Sequence, residues 1–352
     1  MGRALMRDVY YPNYHLNMDD IANAVRILRS GGLVAFPTET VYGLGADATN
    51  PAAVLRIFAA KGRPATNPII VHVADEEIAK RYAAAWPEAA RRLAGKFWPG
   101  PLTLVVEKSP CIAPQVSAGR DTVGLRAPDH PLALALLASF GGAIAAPSAN
   151  RSTRVSPTTA EHVRQELGDA VELILDGGPC AVGIESTVLD LSGQIPAILR
   201  PGSITREQIE AEIGPVALFL GSVSPSAAAA SPGQHAVHYA PQIPAYRFES
   251  AEIASVLARF AAGERGGVIF LLLGAASEAV RRLPGIRVTE MPMSAQEYAR
   301  DLYAALRAAD SAGNAAILVE MPPDDPAWAA VRDRLTRATK PIADFHGAHS
   351  PR

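Results

Sequence analysis

PTETVYGLGADA, residues 37–48, follows directly on the apolar run LVAFP, residues 33–37, and these two stretches decide how the first half of the chain reads. The apolar run has the length and the bounding proline of a buried strand. Just beyond it, Thr38, Thr40 and Tyr42 stand next to Gly43 and Gly45. Backbone without side chains lets a ligand approach there, and the hydroxyls are expected to line its pocket. KGRPATNPIIVHV, residues 61–73, then sets Lys61 and Arg63 at a helix-to-loop junction, with His72 in the strand that follows. A rigid guanidinium fork beside a mobile ammonium suits phosphate or carboxylate recognition. Taken alone, a basic helix end that complements the helix dipole explains the pair equally well.

Working outward, Asp19 or Asp20 is expected to cap a helix with Ile21, Val25 and Leu28 at helical spacing, closed by Gly31 and Gly32. Asn50 and Pro51 suit the N-cap and first turn of a second helix through Ile57 and Phe58, ended by Gly62. Further strands are predicted at 69–73, 102–107, 122–126, 143–146, 172–175, 186–191 and 197–200. Helices are predicted at 130–140 and after Thr158, where Glu161 gives a capping-box pattern. Irregular alternation of this kind predicts a twisted, mixed α/β sheet. Over 214–244 the pattern gives way to Gly, Pro, Ser and Ala, including SPSAAAASPG at 224–233, and reads as a linker. Beyond it, helices at 251–262, 277–283, 294–309 and 326–339 alternate with strands at 267–273, 286–290 and 315–320. That regular alternation predicts a smaller, Rossmann-like parallel α/β domain.

The chain has 352 residues, 49% of them hydrophobic and 19% charged, which is enough for two domains that each bury a core. A formal net charge of −2 argues against a protein held mainly by nucleic-acid phosphates, while leaving room for a local basic groove. Cys111 and Cys180 form no CxxC pair, so neither a zinc site nor a disulfide framework is indicated, and a reducing cytoplasm fits. No apolar signal core opens the chain and no run reaches the roughly 20 apolar residues of a membrane span. A soluble, cytoplasmic protein is expected.

Familiar nucleotide signatures are missing: there is no GxxxxGK[ST], no GxGxxG after a strand, and no kinase or zinc-hydrolase motif. Any nucleotide must be held differently. APSANRSTRVSPT, residues 146–158, gathers Ser148, Asn150, Arg151, Ser152, Arg154 and Ser156 where a strand end meets a loop, a place α/β sheets use for ligands. GIESTVLDL, residues 183–191, sets Ser186 and Thr187 at a strand start, and ILRPGSIT, residues 198–205, brings Arg200 to the end of another. Singly, each has a plainer structural use. Ser and Thr cap turns, an arginine snorkels, and a strand histidine such as His72 settles into a partly buried place.

In order and combination these segments closely resemble the threonylcarbamoyl-AMP synthase family, whose members begin threonylcarbamoyladenosine modification of transfer RNA. The matching motifs are PTETVYGLG, KGRP with NPIIVHV, WPGPLT (98–103), TVGLRAPDHP (122–131), APSAN, GIEST and LRPG, spread over about residues 20–213. SPGQHAVHYAP (231–241), followed by an α/β domain, resembles the long two-domain form, in which a linker crosses the active-site mouth. Gln234 departs from the pattern, standing where an apolar residue, commonly Met, is expected. The resemblance implies a YrdC-like synthase domain over 1–213, a linker and lid over 214–244, and a C-terminal α/β domain over 245–352.

It also implies a nucleotidyltransferase that joins L-threonine, bicarbonate or CO2, and ATP into threonylcarbamoyl-AMP and pyrophosphate, by positioning and charge neutralisation rather than an enzyme nucleophile. Residue by residue, it implies threonine contacts from Thr40, His72, Arg126 and Ser186 and from the backbone near Ala146, with Arg126 clamping the carboxylate. ATP would take Lys61, Arg63, Asn67, Thr122, Ser148, Ser156 and Arg200, with Asn150 supporting the loop and Tyr239 closing over the nucleotide. Lys61 and Arg63 are the implied catalytic pair, stabilising departing pyrophosphate. Mg2+ is expected to accompany ATP, with no protein ligand named and no protein-held cofactor. A downstream transferase complex acting on transfer RNA is the implied partner. Two other readings stand beside this one. A carbamoyl-phosphate-dependent transferase usually carries zinc-finger and acylphosphatase-like segments, which two cysteines do not support. An RNA-binding module would use Lys61, Arg63, Arg151 and Arg154 as its footprint.

Overall fold

The structure is a computed structural model and describes residues 17–219, 231–232, 239–261, 267–274, 281–282 and 286–345. Its first sheet comprises β1 (Val34–Phe36), β2 (Gly43–Asp47), β3 (Val71–His72), β4 (Leu102–Glu107), β5 (Thr122–Arg126), β6 (Ile144–Ala145), β7 (Leu173–Ile174), β8 (Thr187–Asp190), β9 (Ala197–Arg200) and β10 (Ala217–Leu218). The order is β10-β9-β8-β4-β5-β3-β6-β2-β1-β7, ten strands with mixed pairing. The β4–β5 and β3–β6 pairs are antiparallel, while β4–β8 and β3–β5 are parallel. In the β3–β5 register His72 lies beside Arg126, so the sheet itself puts these two polar residues together at its centre.

Around this sheet lie α1 (Met18–Arg29), α2 (Pro51–Lys61), α3 (Glu76–Lys80), α4 (Glu88–Phe97), α5 (Pro131–Phe140), α6 (Ala160–Leu167) and α7 (Arg206–Ile213). The expected cap of α1 is corrected: Asn17, not Asp19 or Asp20, accepts the amide of Asp19 and starts the helix, leaving both aspartates in its first turn. The start of α6 moves similarly, from Thr158 to Thr159, whose side chain accepts the His162 amide. Asn50 caps α2 as its sequence indicates, and Gly62 ends it in the left-handed conformation at φ +58°. That φ suits glycine because a Cβ there would crowd the backbone. The chain therefore leaves α2 with Lys61 buried and Arg63 already in the following loop.

The second sheet is all parallel, in the order β13-β12-β14-β11-β15. Its strands are β11 (Ala245–Glu249), β12 (Val268–Leu273), β13 (Ile286–Met291), β14 (Ala316–Met321) and β15 (Lys340–Pro341), with α8 (Ile253–Ala261), α9 (Ala295–Ser311) and α10 (Ala329–Ala338) against it. Most of the helix expected at 277–283, and Gln234 in the linker, lie outside the described residues.

The two sheets do not keep wholly separate cores. One buried cluster joins Val41, Val155 and Ile184 of the first domain to Tyr298, Leu302, Tyr303 and Leu306 of α9 and to Val331 and Leu335 of α10. Gly183 makes this contact possible. A Cβ at that position would lie 2.4 Å from the Arg300 backbone on α9, so only glycine lets the helix approach so closely.

Candidate active site

The PTETVYG loop joins β1 to β2 and is wholly buried. Thr38 Oγ1 donates to the Val41 carbonyl at 2.6 Å and accepts the amides of Thr40 and Val41 at 3.2 Å. A hydroxyl has one proton, and that of Thr38 is committed to Val41. The two threonine hydroxyls lie 2.8 Å apart, so Thr38 holds Thr40 in place at the cleft. Tyr42 behaves otherwise. Its hydroxyl donates to the Gly178 carbonyl and accepts the Gly177 amide, so it holds the loop rather than lining a pocket.

Two groups of buried cations follow. Arg126 donates through Nε to the Gly100 carbonyl at 3.3 Å, and its Nη2 lies 2.7 Å from Glu39 Oε2. His72 sits beside it with Nδ1 unpartnered and its ring perpendicular to that of Phe36. Burial, reinforced by the Arg126 charge, holds His72 well below the usual histidine range, so it is neutral at pH 7. The second group is Arg63 and Arg200. Arg63 donates to the carbonyls of Asn67 (3.1 Å) and Pro68 (2.6 Å). Arg200 donates to the Ser186 carbonyl (3.1 Å), to Ser186 Oγ (3.2 Å) and to the carbonyl of Pro232 in the linker (3.3 Å). Burial lowers the pKa of both guanidiniums, and the like charge of Arg200 lowers that of Arg63 further. A bound polyanion would relieve both penalties.

Glu185, the carboxylate of the GIEST motif, is held from several sides. Its Oε1 accepts from Ser156 Oγ at 2.6 Å, and its Oε2 accepts from Tyr303 (2.9 Å) and from Arg334 Nε (2.8 Å), both of the second domain. Burial opposes its ionisation, but Arg334, Arg200 and these hydrogen bonds outweigh burial and hold its pKa at about 2. Tyr239 of the linker touches this network. Its ring stacks on Tyr303 at 5.7 Å and lies under the Arg334 guanidinium at 5.3 Å.

These parts line one cleft, bordered by Thr38, Thr40, Gly43, Arg63, His72, Arg126, Ala146, Ser148, Glu185, Arg200, Pro232 and Tyr239. Of the residues singled out in the sequence, Thr40, His72, Arg126 and Ala146 therefore share a wall with Arg63, Ser148, Arg200 and Tyr239. The others stand behind it. Lys61 Nζ donates to the carbonyls of Ser148 (2.5 Å) and Asn150, so its ammonium grips the APSAN loop from the far side. Asn150 Nδ2 donates to the carbonyls of Arg151 and Arg154, shaping the same loop. Ser186 Oγ meets Thr103 Oγ1 and Arg200, Ser156 serves Glu185, and Asn67 is buried with Oδ1 unpartnered. Thr122 lines an adjoining cleft with Ser117, Arg120 and Ser231, which Pro232 and Ile70 connect to the first.

Four residues escaped the sequence reading. Glu39 and Glu185 lie inside the quoted motifs, where the neighbouring hydroxyls carry the sequence signal. Arg334 and Tyr303 carried a signal in their spacing. Arg334 falls on the stripe Val331, Leu335, Ala338 of an amphipathic helix, where a charged residue demands a buried partner.

Fold and cleft together define a protein with a cleft set between buried guanidiniums and roofed by its own linker, which Tyr303 and Arg334 of the second domain brace. The comparisons with known proteins give this class a family. A family model described as telomere recombination matches residues 26–202, and one described as threonylcarbamoyl-AMP synthase, C-terminal domain, matches residues 204–339. The chain is 42% identical over 325 residues to a threonylcarbamoyl-AMP synthase of Bacillus subtilis, covering 92% of this chain and 93% of that protein. It is 41% identical to the Pyrococcus abyssi protein of the same name, covering 90% and 93%. The crystal structure of P. abyssi Sua5 complexed with L-threonine superposes with a TM-score of 0.84 at 38% identity, covering 93% of this chain and 97% of the other. The chain belongs to the threonylcarbamoyl-AMP synthase family, in its two-domain form.

Proposed function

We propose that this chain makes threonylcarbamoyl-AMP and pyrophosphate from L-threonine, bicarbonate or CO2, and ATP, for threonylcarbamoyladenosine in transfer RNA. One observation carries the reading: a single cleft holds two separate cationic groups, Arg126 with His72 and Thr40, and Arg63 with Arg200. Threonine takes the first group, its carboxylate on Arg126 and its hydroxyl against that of Thr40. ATP takes the second. His72, held neutral, accepts a hydrogen bond from the threonine amine and orients its lone pair toward the CO2 carbon, and the proton released as the nitrogen–carbon bond forms passes to water. The carbamate oxygen then attacks the α-phosphorus, the bond to the β-phosphate breaks, and pyrophosphate leaves with the electron pair toward Arg63 and Arg200. Lys61 contributes from behind, fixing the Ser148 loop and adding positive charge to the field. Mg2+ comes with the nucleotide, bound through phosphate oxygens and water as that ion prefers. The second-domain family match favours the synthase over a carbamoyl-phosphate-dependent transferase.

No helix among the described residues is long and apolar enough to cross a membrane, and we place the activity in the cytoplasm, upstream of a complex that transfers the threonylcarbamoyl group to transfer RNA. The test is pyrophosphate release from Mg-ATP by the purified chain, with threonine or bicarbonate omitted in turn and the adenylate detected by mass. Release that needs both, with threonylcarbamoyl-AMP formed, is the expected result. Threonine-independent release, or none from a folded chain, rejects the reading.

A further inference from the structure

Resting on that reading, we propose that Arg334, in the second domain, is a positioning residue for the triphosphate end of the cleft: it cancels the charge of Glu185 and pins Tyr239 in the cleft wall. The problem it solves is electrostatic. Glu185 lines the same cleft as Arg63 and Arg200, and an ionised carboxylate there repels a polyphosphate. Arg334 is fully buried and donates to Glu185 twice, through Nε to Oε2 at 2.8 Å and through Nη2 to the backbone carbonyl at 3.3 Å. Its remaining arm, Nη1, is taken by Asp333 at 2.7 Å, and Arg337 holds Asp333 in turn at 3.0 Å.

Tyr239 supplies a second, independent observation. It is a non-glycine residue at φ +63°, a conformation that persists only where the surroundings enforce it. The Tyr303 ring and the Arg334 guanidinium pack on its side chain, and the Thr153 carbonyl accepts the amide of the adjoining Ala240 at 2.8 Å, so α9, α10 and the first domain together hold this linker residue in the cleft wall. Stability alone is a poor reason for this arrangement. A buried ion pair is often matched by apolar residues of the same volume, whereas removing one partner leaves the other charge uncompensated. The network explains what the second domain does for the first: it supplies the counter-charge that makes a cleft containing Glu185 acceptable to a nucleotide.

The test uses the full chain and calorimetric affinities for Mg-ATP and for threonine, in wild type, Arg334→Met, Arg334→Lys, Glu185→Gln and the Glu185→Gln/Arg334→Met double variant. Arg334→Met is expected to weaken Mg-ATP binding about tenfold or more while threonine affinity stays within about twofold. Arg334→Lys should recover part of the loss, and the double variant most of it, because the unpaired carboxylate is then gone. Undocking or misfolding predicts another pattern, with both ligands weakened together and no suppression by Glu185→Gln, and that result overturns the proposal. So does unchanged Mg-ATP affinity in Arg334→Met. Turnover is measured in parallel. A wild-type chain that binds Mg-ATP but makes no threonylcarbamoyl-AMP rejects the synthase reading and leaves the Arg334 comparison to be decided by affinity. A wild-type chain that binds no Mg-ATP overturns both.

Discussion

Lys61 is almost completely buried, and the groups its Nζ holds are the carbonyls of Ser148 and Asn150. Burial and then the Arg63 charge push its pKa well down, opposed by Glu166, so an approaching polyphosphate would strengthen its hold on the proton. Lys61→Met should free the APSAN loop and remove that charge together. We expect kcat to fall by about tenfold or more with threonine affinity within about twofold, read from steady-state kinetics and calorimetry; unchanged kcat excludes the role. Histidines set the acid limit. His72 and His130 are lowered mainly by burial, and His162 is lowered by burial and by Arg307 to about 4. Below the unfolded value of 6.5 the unfolded chain binds protons that the folded chain refuses. Stability should therefore be complete above about pH 6.5 and fall as the pH drops toward 4, with a slope up to about 1.4 kcal/mol per pH unit for a fully buried histidine. Asp129, raised by burial, works weakly the other way, and the Glu185 contribution is lost progressively as the pH falls from its ordinary value of 4.5 toward about 2, below the range tested. Urea unfolding at pH 7.5, 6 and 5 measures this, and a midpoint that does not move across that range contradicts it.

At the scale of elements, the chemistry of α2 passes straight from sequence to site. Asn50 accepts the amides of Ala52 and Ala53 at 3.0 and 3.2 Å, Pro51 opens the first turn, and the helix delivers Lys61 at its far end. Asn50→Ala should cost about 1 kcal/mol in denaturant unfolding, with kcat lowered less than in Lys61→Met. Such local signals made α2, β4, β5 and β9 legible with their observed bounds. Where two capping residues compete, the sequence is ambiguous, as with Asn17 before Asp19 and Thr159 after Thr158. The glycines of β2 read in sequence as a place where a small molecule approaches closely, and Gly43 does line the cleft. Gly45 instead admits core side chains, since a Cβ there would lie 2.8 Å from Ile144 and 2.9 Å from Phe36. Motif order marked the residues of the cleft but not their depth. Arg63 and Lys61 are two apart in sequence, yet one lines the wall and the other supports it, because the left-handed Gly62 turns the chain between them. Glu185 could not be paired from sequence, its partners lying 118 and 149 residues away on other elements.

Across the whole molecule, the two domains are joined by polar pairs as well as by the shared apolar cluster. Arg307 of α9 reaches Glu166 at 3.2 Å and donates to the carbonyls of Ser156 and Val155, so the second domain also grips the segment that positions Ser156 against Glu185. Docking and the cleft are thus mechanically continuous, and the weakest tolerance in that contact is steric. Gly183 sits at φ +79°, where a side chain is strained whatever the space, and an added Cβ would meet the Arg300 backbone at 2.4 Å and the Ala299 carbonyl at 2.7 Å. Backbone on a packed helix cannot step aside as a flexible side chain can, so Gly183→Ala must push α9 away or distort the GIEST strand entry. Either movement separates Tyr303 and Arg334 from Glu185. The expected outcome is a loss of Mg-ATP affinity like that of Arg334→Met, accompanied by what that variant lacks: a larger radius of gyration in X-ray scattering and a lower unfolding midpoint. Glu185→Gln should not restore affinity in the Gly183→Ala background, because there the roof itself has moved. Recovery by Glu185→Gln would mean that charge alone, and not the docking of α9, connects the second domain to the cleft.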